Sequence, residues 1–252
     1  MARHAHSDTR SILKPSGDWD EFPANVLVVT AHPDDVEFGA AGTIATWTTA
    51  GTEVDYCIVT DGDAGGFDRS MSRGEIRRAE QRRAAEIVGV RSVEFLGYPD
   101  GRVYPTLELR RDISATIRRV RPSRVLCPSP ERDFALIGAS HPDHLAVGEA
   151  TVCAVYPDAR NPFAHPELLE AGLEPSSVAE LWMMASPRAH HAVDITAVID
   201  RKLEALSAHA SQHPDPTRIR EMVRTFTGEL AEAVGFGSGH FAESFFVVTL
   251  PT

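Results

Sequence analysis

The residues of this sequence with the clearest chemical potential lie in two short motifs that share the pattern His-Pro-Asp. The first runs from His32 to Asp35 and the second from His141 to His144. Histidine and aspartate are usual ligands of a catalytic zinc ion, which takes three protein ligands and keeps one position open. Since His32 and Asp35 are three residues apart, both side chains can reach a common point across one helical turn. The two motifs therefore predict a metal centre.

The motifs contain more candidate groups than a catalytic metal needs. Three of them would be the protein ligands of the metal: His32, Asp35 and His144. The others would transfer protons or orient their neighbours: Asp34, His141 and Asp143. A single histidine is more often an ordinary core or surface residue. Two copies of the same motif, each placed after an apolar run, are much harder to assign to chance.

Each motif follows a short stretch that predicts a buried strand. Residues 26–29 are all apolar, as in a parallel strand that is covered on both faces, and residues 124–127 precede the second motif. Pro33 is expected at the first position of the following helix. An amide hydrogen at that position has no partner within the helix, so proline, which has none, loses nothing there. Sites in α/β sheets collect at the carboxyl ends of the strands, so we expect both motifs to face one crevice.

The rest of the sequence alternates strand and helix patterns, which predicts an α/β fold with a mostly parallel sheet and helices on both faces. Further strands are expected at residues 53–60, 92–96, 179–184, 192–195 and 242–248, and helices at 36–50, 73–88, 107–120, 142–152, 197–213 and 217–234. Residues 1–21 are polar and are expected to form a mobile arm, and 22–252 a single domain. Residues 156–177 are interpreted as an irregular insertion, either a lid over the substrate or variable surface.

Composition and charge limit the classes of molecule that this protein is expected to bind. The net charge of −11 over 252 residues argues against nucleic acid and against an anionic membrane surface. No apolar stretch is long enough to span a bilayer, and the first twenty residues lack the core of a signal peptide. Cys57 and Cys127 lie in strand patterns and are expected to be buried thiols of a cytoplasmic protein. A homo-oligomer is compatible with the sequence, which does not specify the oligomeric state.

The motifs and their surroundings closely resemble the PIG-L/LmbE family of zinc-dependent de-N-acetylases. The matching stretches are residues 31–43, 60–62, 75–80, 88–90, 141–144 and 242–245. The resemblance implies a Rossmann-like fold with the metal site at the carboxyl ends of the strands. It also implies hydrolysis of an acetamide, usually on an N-acetylglucosamine-type sugar conjugate.

By motif position, the resemblance also implies roles for individual residues. It implies three zinc ligands: His32, Asp35 and His144. Asp34 is then similar to the general base. His141 is similar to the group that stabilises the oxyanion or protonates the leaving amine, with Asp143 orienting it. Arg77, in the stretch 75–80, is similar to an arginine that contacts the substrate in some members.

Several alternatives remain open on the sequence alone. The same site could hydrolyse another acyl group or a non-sugar amide, and Fe²⁺ or another divalent ion could replace Zn²⁺. Two histidines and one carboxylate also form the facial triad of non-haem iron oxygenases, but Asp34 would have no role there. A catalytically silent sugar-binding protein would not need Asp34 or His141. A purely structural zinc site would need a fourth protein ligand, which the sequence does not offer.

Overall fold

A computed structural model describes residues 22–65 and 73–251 of the chain, so the predicted arm at residues 1–21 lies outside the described residues. Strands in the described ranges are β1 (Asn25–Thr30), β2 (Glu53–Thr60), β3 (Ser92–Tyr98), β4 (Arg124–Pro128), β5 (Glu180–Met184), β6 (His191–Asp194) and β7 (Ala242–Thr249). They form one sheet in the order β3-β2-β1-β4-β5-β7-β6. The strands predicted from the sequence are all present, with small shifts of their ends.

The α-helices of the described residues are α1 (Asp35–Gly39), α2 (Ala41–Thr49), α3 (Arg73–Val88), α4 (Leu107–Val120), α5 (Pro142–Cys153), α6 (Pro166–Glu170), α7 (Ile199–Ser207) and α8 (Pro216–Ala233). None of these helices is both long and apolar enough to span a bilayer. The helix expected at 197–213 is shorter than predicted, because α7 ends at Ser207 and the chain then forms an irregular turn.

The sheet is mostly parallel, as predicted. Strands β1 to β5 all pair in parallel, whereas β7 is antiparallel to both of its neighbours, β5 and β6. From β1 the chain proceeds outward through β2 and β3, and it then returns to place β4 and β5 on the other side of β1. The strand order therefore reverses between β1 and β4. In open α/β sheets the crevice at such a switch point is where ligands bind.

Alternate residues of β1 explain why helices cover both faces of the sheet. Successive side chains of a strand point to opposite faces. Val26 and Val28 belong to an apolar layer shared with α2 and α3, and Leu27 and Val29 belong to a second layer shared with α4 and α5. All four side chains are fully buried. Each such burial contributes roughly 1.5–3 kcal/mol relative to an exposed side chain, so β1 is firmly fixed beneath the first motif.

The helix predicted at residues 36–50 is in fact two helices, α1 and α2, separated at Ala40 with φ −150°. Two buried charges stabilise the break. The ammonium of Lys202 donates to the carbonyls of Glu37 and Phe38 at the end of α1. The carboxylate of Glu243 accepts from the first amides of α2, those of Gly42 and Thr43. A cation at a helix C-terminus and an anion at an N-terminus are both favourable.

Pro33 was predicted to begin the helix after the first motif, and that prediction was wrong, whereas Pro142 does begin α5. The helix after the first motif begins at Asp35, and the residue before it, Asp34, has a left-handed backbone with φ 89°. Pro33 therefore lies outside the helix. The backbone of the first motif is a tight turn because the main chain must leave β1 and enter α1 within a few residues.

Residues 156–177 contain more structure than predicted. A kinked π-type turn, Ala154–Asp158, extends α5, and α6 lies within the segment. The guanidinium of Arg118 on α4 is buried and donates to five main-chain carbonyls of this region: Asp158, Ala159, Asn161, Ala164 and Leu173. Arg110 of α4 adds a bidentate ion pair with Asp158. The segment is thus attached to α4.

Candidate metal centre

Both His-Pro-Asp motifs lie at the switch point of the sheet. The first motif follows β1 directly, and the second follows a loop from β4 that ends in a 3-10 turn, Ile137–Ser140. His141 is the N-cap of α5, and its ring accepts a hydrogen bond from the main-chain amide of Asp143. Because β1 and β4 are neighbours in the sheet, residues more than a hundred positions apart in sequence are brought together.

Three side chains converge on one point, and they are the three that were predicted to bind metal. His32 Nδ1 lies 3.2 Å from His144 Nε2. The Asp35 carboxylate lies 3.0 Å from His144 Nε2 through Oδ1 and 3.6 Å from His32 Nδ1 through Oδ2. Ligand atoms about 2.0–2.1 Å from a tetrahedral zinc ion would be about 3.3 Å apart. The residues present therefore fit a zinc ion in both donor type and spacing.

Further contacts orient these three side chains. The other nitrogen of His32, Nε2, faces Asp100 at 3.1 Å and Asp143 at 3.2 Å. His144 Nδ1 faces the carbonyl of Ala139 at 3.2 Å. Asp35 Oδ2 accepts from the amide of His32 at 2.8 Å. Metal-binding histidines almost always use their second ring nitrogen in this way, which fixes the tautomer and the orientation of the ring.

The side chain of Asp143 does not contact His141 as expected. Its carboxylate accepts from the amides of Gly101 at 2.7 Å and Val103 at 3.2 Å, and it faces His32. Only its main-chain amide reaches His141, at 3.2 Å from Nδ1. Asp143 is therefore joined to His141 through the backbone, while its charge supports the ring of His32.

Asp34, the expected general base, is fixed from several directions. Its amide donates to Gln81 Oε1 at 2.9 Å. Its Oδ1 lies 3.1 Å from Arg77 Nη2, and its Oδ2 lies 3.4 Å from His213 Nε2. A positive φ is uncommon outside glycine, although aspartate tolerates it better than most residues. Gln81 and Arg77 compensate for this unfavourable backbone by binding the amide and the carbonyl of the peptide bond between Pro33 and Asp34.

Arg77 was expected to contact substrate, and that remains a prediction. In the structure Arg77 is only 4% exposed, and its guanidinium donates to the carbonyls of Gly62 and Pro33 as well as to Asp34. Gly62 has φ 67°, and a Cβ there would lie 2.4 Å from Arg77 Nη1. The glycine is thus required both for its backbone and for the space that the guanidinium occupies.

The charges of the centre depend on one another. Burial alone would lower the pKa of His32, but Asp35, Asp100 and Asp143 raise it to about 12. Burial also opposes the charge of Asp35, yet His144 and His32 keep its pKa well below the usual range. Burial would lower the pKa of His144, and Asp35 raises it. A site with this much negative charge favours cations, and a metal ion would replace protons on the two histidines.

Sequence reasoning missed three residues that contact the motifs. Asp100 follows the end of β3, and its position at the carboxyl end of a parallel strand was a usable signal. Gln81 lies on α3 among charged residues, and His213 lies in the turn between α7 and α8. No local pattern distinguishes either of them. Their roles depend on how α3 and α7 pack around the first motif.

Comparison with known proteins identifies the family of this chain. Residues 27–155 match the PIG-L family model, described as GlcNAc-PI de-N-acetylase. The diacetylchitobiose deacetylase of Thermococcus kodakarensis is 34% identical over 218 residues, which cover 85% of this chain and 79% of the relative. A protein of Bacillus anthracis named "Probable N-acetyl-alpha-D-glucosaminyl L-malate deacetylase 2" is 31% identical over 224 residues, covering 83% of this chain and 90% of the relative.

A solved structure is similar over the same length. The N,N'-diacetylchitobiose deacetylase of Pyrococcus horikoshii, in complex with an inhibitor, has a TM-score of 0.82 and 30% identity, covering 90% of this chain and 84% of that one. The resemblance seen in the motifs therefore extends through most of the described fold. The chain belongs to the PIG-L family of de-N-acetylases.

Proposed function

We propose that this protein is a zinc-dependent hydrolase that removes the acetyl group from an N-acetylglucosamine-type substrate. The observation that carries the proposal is the convergence of His32 Nδ1, Asp35 and His144 Nε2 within 3.0–3.6 Å of one another, directly beside Asp34 in the chain. The relatives from Thermococcus kodakarensis and Bacillus anthracis support the substrate class, because both names describe deacetylases of N-acetylated glucosamine compounds.

The proposed reaction is the attack of water on an amide carbonyl, which forms acetate and a free amine. When bound, zinc would lower the pKa of a water molecule and polarise the carbonyl. Asp34 accepts the proton that the attacking water loses. Its carboxylate is suited to this because Arg77 binds Oδ1 and Gln81 binds the main-chain amide of the same residue, which limits the reorganisation that the reaction needs.

His141 stabilises the negative charge that develops on the carbonyl oxygen. Its Nδ1 accepts a hydrogen bond from the amide of Asp143, so the neutral ring carries its proton on Nε2 and can donate it. Burial and the neighbouring His32 and His144 lower the pKa of His141. The carbon–nitrogen bond then breaks as the amine takes the proton that Asp34 accepted from the water, because a neutral imidazole is too weak an acid to supply one.

The first test is acetate release from N-acetylglucosamine, its β-1,4-linked disaccharide and a 1-O-linked conjugate, with zinc titrated into chelator-treated protein. We expect release that rises with bound zinc to about one equivalent. The matched control is His144→Ala, which should bind zinc weakly and release no acetate. Zinc binding without acetate release from any member of the panel would refute the proposed substrate class. A protein that binds no divalent metal would refute the whole mechanism.

A further inference from the structure

The turn between α7 and α8, residues 208–215, packs over the loop that carries Asp34. Two contacts attach it there. His209 Nε2 lies 3.2 Å from Glu37 Oε2 of α1, and both side chains are fully buried. Ser211 donates to the carboxylate of Glu80 on α3 through its amide and its hydroxyl, at 2.8 and 2.6 Å. The turn is therefore held against the same two helices that position the first motif.

His213 lies in this turn and points its ring at Asp34. Its Nε2 is 3.4 Å from Asp34 Oδ2, and its side chain is only 16% exposed. The ring packs edge-on against Phe38, with centroids 5.3 Å apart and planes at 83°. This contact with Phe38 limits how the imidazole can rotate. It leaves Nε2 within reach of the carboxylate.

The Nε2 atom of His213 is buried and has no hydrogen-bond partner among residues 22–65 and 73–251. Leaving a buried polar atom unpaired is costly, so such an atom calls for an explanation. The acceptor beside it is Asp34 Oδ2, while Oδ1 of the same carboxylate is already bound by Arg77. Catalytic hydrogen bonds are often long before substrate binds, and they shorten in the reacting complex.

We propose that His213 is a positioning residue for deacetylation, which holds Oδ2 of Asp34 while Arg77 holds Oδ1. The proposal rests on the proposed function, since it needs Asp34 to be the base. His213 lies beyond residues 27–155, the part of the chain that matches the family model. With both oxygens held, the carboxylate has one orientation; with Oδ2 released, it can rotate about its side-chain bonds.

A pair of substitutions separates positioning from packing. His213→Phe keeps an aromatic ring against Phe38 but removes the donor. His213→Gln loses the ring but places an amide N–H at about the same reach as imidazole Nε2. Ser211→Ala is the matched control, because it weakens the attachment of the same turn to Glu80 without touching Asp34. Each variant is checked for zinc content and thermal midpoint before acetate release is measured.

We expect His213→Phe to lower kcat about tenfold, in the range seen when supporting partners of site residues are removed. KM and zinc content should not change, because His213 contacts neither substrate nor metal in this proposal. His213→Gln should recover most of the lost kcat, and Ser211→Ala should stay within about twofold of the unmodified protein. A merely structural role would instead make His213→Gln the worse of the pair and lower the thermal midpoint.

Two results would overturn the inference, and they differ from failure of the proposed function. If the unmodified protein is active and His213→Phe retains its kcat, His213 does not position Asp34. If His213→Phe and His213→Gln lose kcat equally while remaining folded, the donor is not what matters. If the unmodified, zinc-loaded protein releases no acetate, the proposed function fails, and the role assigned to His213 fails with it.

Discussion

His32 Nε2 and Asp143 Oδ2 lie 3.2 Å apart although 111 residues separate them in the chain. This contact joins the two His-Pro-Asp motifs, because the acid of the second motif supports a proposed metal ligand of the first. The same Asp143 carboxylate accepts the amides of Gly101 and Val103, so the loop after β3 is attached as well. Three strand ends are thus linked through one buried carboxylate.

This arrangement predicts that Asp143→Asn weakens zinc binding. The amide would keep the size of the side chain but remove the negative charge beside His32, and loss of such a partner typically costs about 10–100-fold in metal affinity. Competition with a chromophoric chelator would measure the change. Asp63→Asn, an exposed change in the loop after β2, is the control and should leave affinity unchanged. Equal affinities for all three proteins would contradict the role assigned to the His32–Asp143 contact.

Asp34→Asn should keep zinc bound but lose turnover by roughly 10²–10⁴-fold, the range attributed to a general base. Asparagine also tolerates a positive φ, so the backbone at φ 89° should persist. The measurement is acetate release beside zinc content per chain. Near-normal turnover with metal bound would mean that another residue accepts the proton.

Lys202→Met should destabilise the fold strongly. The ammonium is fully buried and pairs with Glu243, so its removal leaves a carboxylate without its charge partner in the core. Breaking a buried pair from one side costs about 3–5 kcal/mol in the free energy of unfolding. Urea unfolding would measure it. The double variant Lys202→Met/Glu243→Gln should lose less, and a larger loss in the double variant would show that the two residues do not act as a pair.

The buried pair of His209 and Glu37 predicts a pH-dependent contribution to stability. Burial would lower the pKa of His209, but its hydrogen bond with Glu37 and the charge of that carboxylate raise the pKa above the ordinary value. A histidine with a raised folded-state pKa stabilises most fully below its unfolded value of about 6.5. This contribution is lost as the pH rises through the folded-state pKa.

The comparison that isolates this effect is with His209→Gln. The difference in free energy of unfolding between the two proteins should be larger at pH 6 than at pH 9 and should fall as the pH rises. Denaturant titrations at several pH values between these limits would trace it. A difference that is constant or that grows with pH would show that His209 does not carry a stabilising proton.

The sequence by itself determined which residues form the proposed metal site and on what kind of fold. The apolar runs before the two His-Pro-Asp motifs predict strands. Parallel strands place their carboxyl ends at one edge of the sheet, so the local sequence pattern was enough to predict that the motifs converge. The two-sided burial of residues 26–29 was readable for the same reason. Patterns of this kind are local and need only neighbouring residues.

Only the tertiary structure decided how the site is held. The left-handed backbone of Asp34 depends on Gln81 and Arg77, which reach it from α3, and the break at Ala40 depends on Lys202 and Glu243. The tertiary structure also places the Asp143 carboxylate against His32 instead of His141. These contacts come from side chains far apart in sequence, and they form because helix packing buries charges that must then find partners. No periodicity in a single chain records which distant partner a buried polar group will meet.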